Sequence, residues 1–277
     1  MQTREAFHHE MQQMQELSTI PVIVRKLLQI FDNPYLSLSD IAAFVSKDPV
    51  LTARLLQVVN SPFFGFKGRI GSVAQALLLL GLNQAKALLM GMRLFDFMKE
   101  MEGLWAHSIG CAIIAQITAR RKRMREAKEL FITGLLHDIG KVFMYLKLPD
   151  TYRSALEMAE KNRIPIIDAE QKLFQSTHPE VANWVFENWN LPRYFIEPIR
   201  YHHKPSLART WPTRSALLHV ADILTRARGF GSGGDSLVPL LDETAWTRLA
   251  MSRSEINSIL WESEQFIHEA RSFLADE

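Results

Sequence analysis

Imidazole and carboxylate side chains recur through the middle of this 277-residue chain in a pattern that could hold metal ions. The set is His107, His137, Asp138, His178, His202, His203 and Asp222. Six of the nine histidines lie between positions 107 and 219, and five of those belong to it. The spacings are long: 30 residues from His107 to His137, 40 from Asp138 to His178, 24 from His178 to His202 and 19 from His203 to Asp222. They match neither a zinc finger nor the HExxH helix of a zinc protease. Ligands so spread must come from different helices converging inside a bundle. Imidazole with carboxylate, and no thiolate, suits borderline or hard divalent ions: iron or manganese first, zinc or nickel next. An aspartate beside a ligating histidine can bridge two ions, and a two-ion site can activate water and stabilise charge on a phosphate. In "HDIGK", Lys141 follows Asp138 by one turn and would share its helical face. There it could hold a phosphate oxygen or orient the nucleophile, so Asp138 and Lys141 are the candidate catalytic residues. A helical histidine taken singly is more often a packed, hydrogen-bonded residue, and spacing alone leaves both readings open. His219 reads as structural, and His8, His9 and His268 as exposed.

The elements that must position these groups read as helices throughout. In "IPVIVRKLLQIF", apolar residues fall at Ile20, Val24, Leu27, Leu28 and Phe31, the three- and four-residue spacing of a helix. Ser39 and Asp40 stand before "IAAFVS" as start signals, and Asp48 is an N-cap with Pro49 at the first helical position. "NSPFFGFKGRIGS" (60–72) reads as a loop, whose Phe63, Phe64 and Phe66 either pack inside or dock a partner. Ser72 caps "VAQALLLLG" and Gly81 ends it. Residues 17–100 form a first run of short helices, and 104–228 carry longer helices with the interior histidines. The glycine-rich "RARGFGSGGDS" (226–236) reads as a flexible loop. Residues 237–277 read as two further helices. Ser252 or Ser254 caps the last, and Ile256, Leu260, Ile267 and Phe273 lie on its apolar face. The fold class is all-α.

Composition narrows the function classes. The chain is 47% hydrophobic and 22% charged, the balance of a protein with a sizeable core, and its formal net charge is only +2. A nucleic-acid partner is therefore not expected. The basic run "ARRKRMREAK" (119–128) reads as a solvated helix face. The single cysteine, Cys111, excludes an intramolecular disulfide and reads as a core residue. The N-terminus lacks a secretory h-region, and no apolar stretch reaches the roughly 18 residues of a membrane span, so a cytoplasmic protein is expected.

The order of motifs carries a resemblance. His107, "HDIGK" (137–141), His178, "HH" (202–203) and "HVADIL" (219–224) resemble the HD superfamily of metal-dependent phosphohydrolases, and the layout is similar to its HD-GYP branch, which hydrolyses cyclic dinucleotides. "IPVIVRKLLQIFDNP", "DIAAFVSKDPVLTARLLQVVNSPFFGF" and "IGSVAQALLLLGLNQAKALLMG" look like the HDOD domain, a bacterial signalling module. That match spans residues 17–215. The resemblance implies an HD-like helical bundle (104–228) preceded by a packed N-terminal helical part (17–100). It implies a regulatory role in signal transduction, with a signalling protein or a phosphorylated small molecule or nucleotide as partner. A metal-dependent phosphohydrolase, acting on phosphomonoesters or nucleotide phosphodiesters, is the alternative. It also implies that His107, His137, Asp138 and Asp222 hold one ion, with His178, His202 and His203 completing a second that Asp138 bridges. Two departures from HD-GYP enzymes stand out. Lys204 occupies the position of a glutamate after the paired histidines, and the GYP segment is absent from "HHKPSLARTW", which speaks against cyclic-di-GMP hydrolysis. Gly103, one turn before His107, stands where some members use a glutamate for a third ion, so a mono- or dinuclear site is expected.

Overall fold

The structure, a computed structural model, describes residues 22–62, 64–66, 68–98 and 101–271. Among the described residues there are helices and no strand. No helix among them is long and apolar enough to cross a membrane. His8, His9, Ile20, Phe63 and Phe273, and the side chain of His268, fall outside what is described. The helices divide into two compact units at Phe97.

The first unit holds α1 (Val22–Phe31), α2 (Leu38–Ser46), α3 (Pro49–Val59), α4 (Val73–Leu80) and α5 (Leu82–Met98). Val24, Leu27 and Leu28 of α1 are buried, as their spacing requires. Asp48 caps α3 ahead of Pro49, Ser72 caps α4, and Gly81 follows α4 with φ +79°. The start of α2 differs from the sequence reading. Ser37 is the N-cap, and Asp40 lies inside the first turn as the reciprocal partner of a capping box. A serine cap is equally plausible at 37 and 39, and the acidic residue three positions on selects Ser37. In the 60–72 loop Phe64 is fully buried, and both amide atoms of Asn60 bond Ile70 across the loop.

The second unit contains α6 (Leu104–Arg121), α7 (Ala127–Leu136), α8 (Ile139–Lys147), α9 (Pro149–Asn162), α10 (Ile166–Phe174), α11 (His178–Asn188), α12 (Arg193–Arg200), α13 (Pro212–Ala227), α14 (Glu243–Leu249) and α15 (Arg253–Arg271). Fourteen of the eighteen residues of α6 are buried, which makes it a core helix rather than an amphipathic one. Small residues let its neighbours come close. A Cβ on Gly134 of α7 would stand 2.7 Å from Ala112 Cα, and Gly110 meets Thr225 of α13. Cys111 lies in this interior, where burial pushes its thiol well above the ordinary range, so it packs rather than reacts.

The basic run after α6 is not wholly a solvated face. Arg121 pairs with Glu262 of α15 at 2.8 Å and Lys122 with Glu255 at 3.0 Å. Ser252 caps α15 through a reciprocal pair with Glu255. The side chains turned furthest inward on α15 are Ile259, Ser263 and Ile267, with Ile256 and Leu260 half-buried beside them.

Candidate metal centre

The bundle brings all seven residues of the set together. His107 comes from α6, His137 from the end of α7, and Asp138 from the start of α8. His178 is the first residue of α11, His202 and His203 follow α12, and Asp222 lies on α13. The sequence reading put Asp138 and Lys141 on one helical face; the chain breaks just before them. His137 closes α7 and Asp138 opens α8, with no hydrogen bond from the Asp138 side chain to the helix end. That carboxylate is thereby left to face the interior.

Two halves can be traced from the distances. His107 Nε2 lies 3.2 Å from His137 Nε2, 3.1 Å from Asp222 Oδ1 and 3.4 Å from Asp138 Oδ2. His178 Nε2 lies 3.1 Å from His203 Nε2 and 3.2 Å from Asp138 Oδ1, with His202 Nε2 3.9 Å from that same oxygen. Three groups of side chains offer ligand atoms within 4.8 Å of one another: His107, His137 and Asp222; His137, Asp138 and His202; and His178, His202 and His203. His107, His137, His178 and His202 are 0% exposed and Asp138 and Asp222 1%, whereas His203 is half-buried.

Hydrogen bonds behind the rings set their orientation. His137 Nδ1 donates to Gly134 O at 2.7 Å and His202 Nδ1 to Ile199 O at 2.6 Å. A carbonyl only accepts, so in the neutral rings the proton sits on Nδ1 and the Nε2 lone pairs point into the cluster. Burial, with a smaller contribution from the neighbouring His107, pushes His137 down to about 4, so this ring is neutral at neutral pH. Burial likewise holds His202 and His203 well below the ordinary histidine range. Burial would raise both aspartates, yet His137 and Lys141 around Asp138, and His107 and Arg226 around Asp222, keep them well below the usual carboxylate range. Ionised oxygens thus face bare nitrogens on His137 and His202, whereas, against burial, Asp138 and Asp222 raise His107, and Glu170 and Asp138 raise His178. Asp138 Oδ1, both oxygens of Asp222 and His202 Nε2 are buried without a hydrogen bond. Buried charges are normally paired or bound to metal, and these orphaned acceptors fit a divalent cation.

Further partners surround the set, and those distant in sequence were invisible to spacing arguments. Glu170 of α10, itself 0% exposed, accepts from both the backbone N and the Nδ1 of His178, at 2.9 and 2.7 Å. A signal did exist: Ile166, Ala169, Glu170 and Phe174 form the buried stripe of α10, so a glutamate stands among apolar positions. Arg226 pairs with Asp222 at 3.3 Å and with Asp235 at 3.0 Å. Lys141 Nζ donates to Asp138 Oδ2 at 2.6 Å and to Gly233 O at 2.7 Å. The 226–236 segment, expected to be a flexible loop, is therefore tied to the bundle. Ser232 N bonds Gly103 O, Asp235 accepts from Ile166 N at the start of α10, and Arg226 binds the carbonyls of Gly233 and Leu237. Its glycines permit this close course; what they do not do is leave it free. His219 is satisfied on both sides, through His202 O and the Asp242 N–H, in keeping with a structural role.

Comparison with known proteins follows the same lines. The HDOD domain profile matches residues 17–205. The chain belongs to the HDOD family. An uncharacterized protein of Treponema pallidum (strain Nichols) is 31% identical over 196 residues, covering 68% of this chain but only 38% of that protein. Among solved structures, an HDOD domain protein of unknown function from Geobacter sulfurreducens is 26% identical, with 97% of this chain and 96% of that one covered and a TM-score of 0.67. Two others share the fold at 20% identity. One is a protein of Marinobacter aquaeolei VT8 provisionally named for signal transduction (TM-score 0.69, 98% of this chain and 64% of that one). The other is a protein of Shewanella amazonensis SB2B provisionally named a phosphohydrolase (TM-score 0.61, 96% and 94%). In this HDOD chain the His/Asp cluster is able to bind metal.

Proposed function

We propose that this chain is a regulatory HDOD module of bacterial signal transduction whose buried His/Asp cluster holds one or two divalent ions, iron or manganese first and zinc or nickel next. The observation that carries the reading is the convergence of five imidazoles and two carboxylates in a buried volume, with Asp138 Oδ1, both oxygens of Asp222 and His202 Nε2 lacking a hydrogen bond. His107, His137 and Asp222, with Asp138 Oδ2, would hold one ion. His178, His202 and His203, with Asp138 Oδ1, would hold the other. Such ions supply Lewis acidity toward a phosphoryl oxygen when bound. The output passes to a signalling protein partner or a phosphorylated small molecule or nucleotide.

Burial favours regulation over turnover. Six of the seven candidate ligands are almost wholly enclosed, and Lys141 has committed two of its three donors, to Asp138 and to Gly233. The second reading, a metal-dependent phosphohydrolase acting on phosphomonoesters or nucleotide phosphodiesters, is favoured by one observation. His203 is half-buried and gives the His178 half an edge toward solvent. In that reading Lys141 keeps Asp138 ionised and orients the attacking group. Lys204 and the missing GYP segment disfavour cyclic-di-GMP as substrate.

The deciding experiment is metal content by mass spectrometry on protein purified without a metal-binding tag, beside Asp138→Ala. One or two ions per chain, lost in the variant, support the metal reading. No metal, and none taken up from iron, manganese or zinc, ends it. A panel of phosphate esters and cyclic nucleotides then separates the two functions, since a regulatory module shows no rate that depends on both metal and Asp138.

A further inference from the structure

The three rings of the ligand set with a described Nδ1 partner are not held alike. His137 and His202 each bond a carbonyl three residues earlier in their own turn, so local backbone orients them. His178 has no such carbonyl. It is the first residue of α11, where a backbone N–H has no intrahelical acceptor. One oxygen of Glu170 receives both that N–H and the ring Nδ1–H. The other oxygen accepts from the Tyr152 hydroxyl at 3.3 Å. Glu170, Tyr152 and His178 are all 0% exposed, and no Lys or Arg is among the hydrogen-bond partners described for the glutamate. A buried carboxylate must be paired and hydrogen-bonded, and this one is held by the His178 N–H, the His178 ring and the Tyr152 hydroxyl.

We propose that Glu170 is a positioning residue for the ion that His178 and His203 would share. It fixes the His178 ring with Nε2 toward Asp138 Oδ1 and His203 Nε2, and its charge makes that nitrogen a stronger donor toward a cation. The inference rests on the metal reading above and adds a ligand-orienting carboxylate to it. Tyr152 supports the far oxygen and does not touch the ring, which provides an internal control.

The test uses the full chain, manganese alone as probe, and Glu170→Gln, Glu170→Ala and Tyr152→Phe. Glutamine can keep an acceptor at the ring while losing the charge. Manganese affinity, by calorimetry, is expected to fall about 10–100-fold in Glu170→Ala, by about tenfold or less in Glu170→Gln, and hardly at all in Tyr152→Phe. Nitrogen-15 imidazole spectra of metal-free protein at alkaline pH supply the second readout. His178 is expected to carry its proton on Nδ1 in the wild type and Glu170→Gln, and to shift toward Nε2 in Glu170→Ala. Folded Glu170→Ala with wild-type affinity and an unchanged His178 tautomer overturns the proposal. Should that variant fail to fold, Glu170→Asp takes its place: it keeps the charge but withdraws the oxygen, and wild-type affinity and tautomer there overturn it equally. If the wild type takes up no manganese, the manganese form of the metal reading fails, and the tautomer alone still decides whether Glu170 sets the ring.

Discussion

Asp138 meets the two halves of the cluster with different oxygens. Oδ2 faces His107, His137 and Lys141, and Oδ1 faces His178 and His202. Its neutralisation therefore affects both halves together. Asp138→Asn keeps the shape but leaves Lys141 buried beside an amide and the Gly233 carbonyl. Breaking one partner of a buried pair costs about 3–5 kcal/mol, so denaturant unfolding of metal-free Asp138→Asn is expected to show a loss of that order. Replacing both residues, as Asp138→Asn with Lys141→Met, is expected to recover most of that stability and none of the metal. A double variant no more stable than the single one would show that the lysine charge is not the source of the loss.

At the scale of elements, the site depends on how closely helices approach. A Cβ on Gly140, in the first turn of α8, would stand 2.0 Å from the backbone oxygen of His178 at the start of α11. Backbone cannot yield as a flexible side chain does, so Gly140→Ala must push the two helices apart. Overpacking of this kind typically costs about 1–3 kcal/mol, and here it also separates Asp138 from His178. The expected result is a folded but less stable protein with weakened metal binding on the His178 side, read by thermal melting and metal titration. A second element-level prediction concerns α15. The Ser252 backbone and Lys122 draw the Glu255 carboxyl from 4.5 down to about 2. A carboxylate depressed on folding contributes stability above its unfolded pKa and loses it as pH falls through the folded value. The stability difference between wild type and Glu255→Gln is therefore expected to be full above about pH 5 and to vanish toward pH 2. A difference that stays constant across that range would assign the effect to packing.

For the whole molecule, metal binding at the cluster would be linked to folding. A ligand that binds only the folded state stabilises it by about 2.7 kcal/mol at one hundred times its Kd. Iron or manganese in excess is expected to raise the Tm of the wild type and to leave that of Asp138→Ala unchanged, with a chelator reversing the rise. Equal shifts in both proteins would point to binding outside the cluster.

Helical periodicity, the caps at Asp48 and Ser72 and the stop at Gly81 are set by neighbours in the chain, and for that reason they could be read from it. The seven candidate ligands were legible as a set because their types are rare inside helices and their order resembles a family. Their meeting was not. It depends on Gly134 and Gly140 letting backbones touch, on the break between His137 and Asp138, and on α13 returning Asp222 to α6. The partners beyond the set were decided by tertiary structure alone. Glu170, Asp235 and the Gly233 carbonyl act across 8 to 92 residues of sequence, where no local pattern records which donor will meet which acceptor; Arg226 meets Asp222 at the local i,i+4 spacing and Asp235 beyond it. Propensity and capping act within a turn or two; desolvation and pairing of buried charge depend on what the finished fold places within about 4 Å.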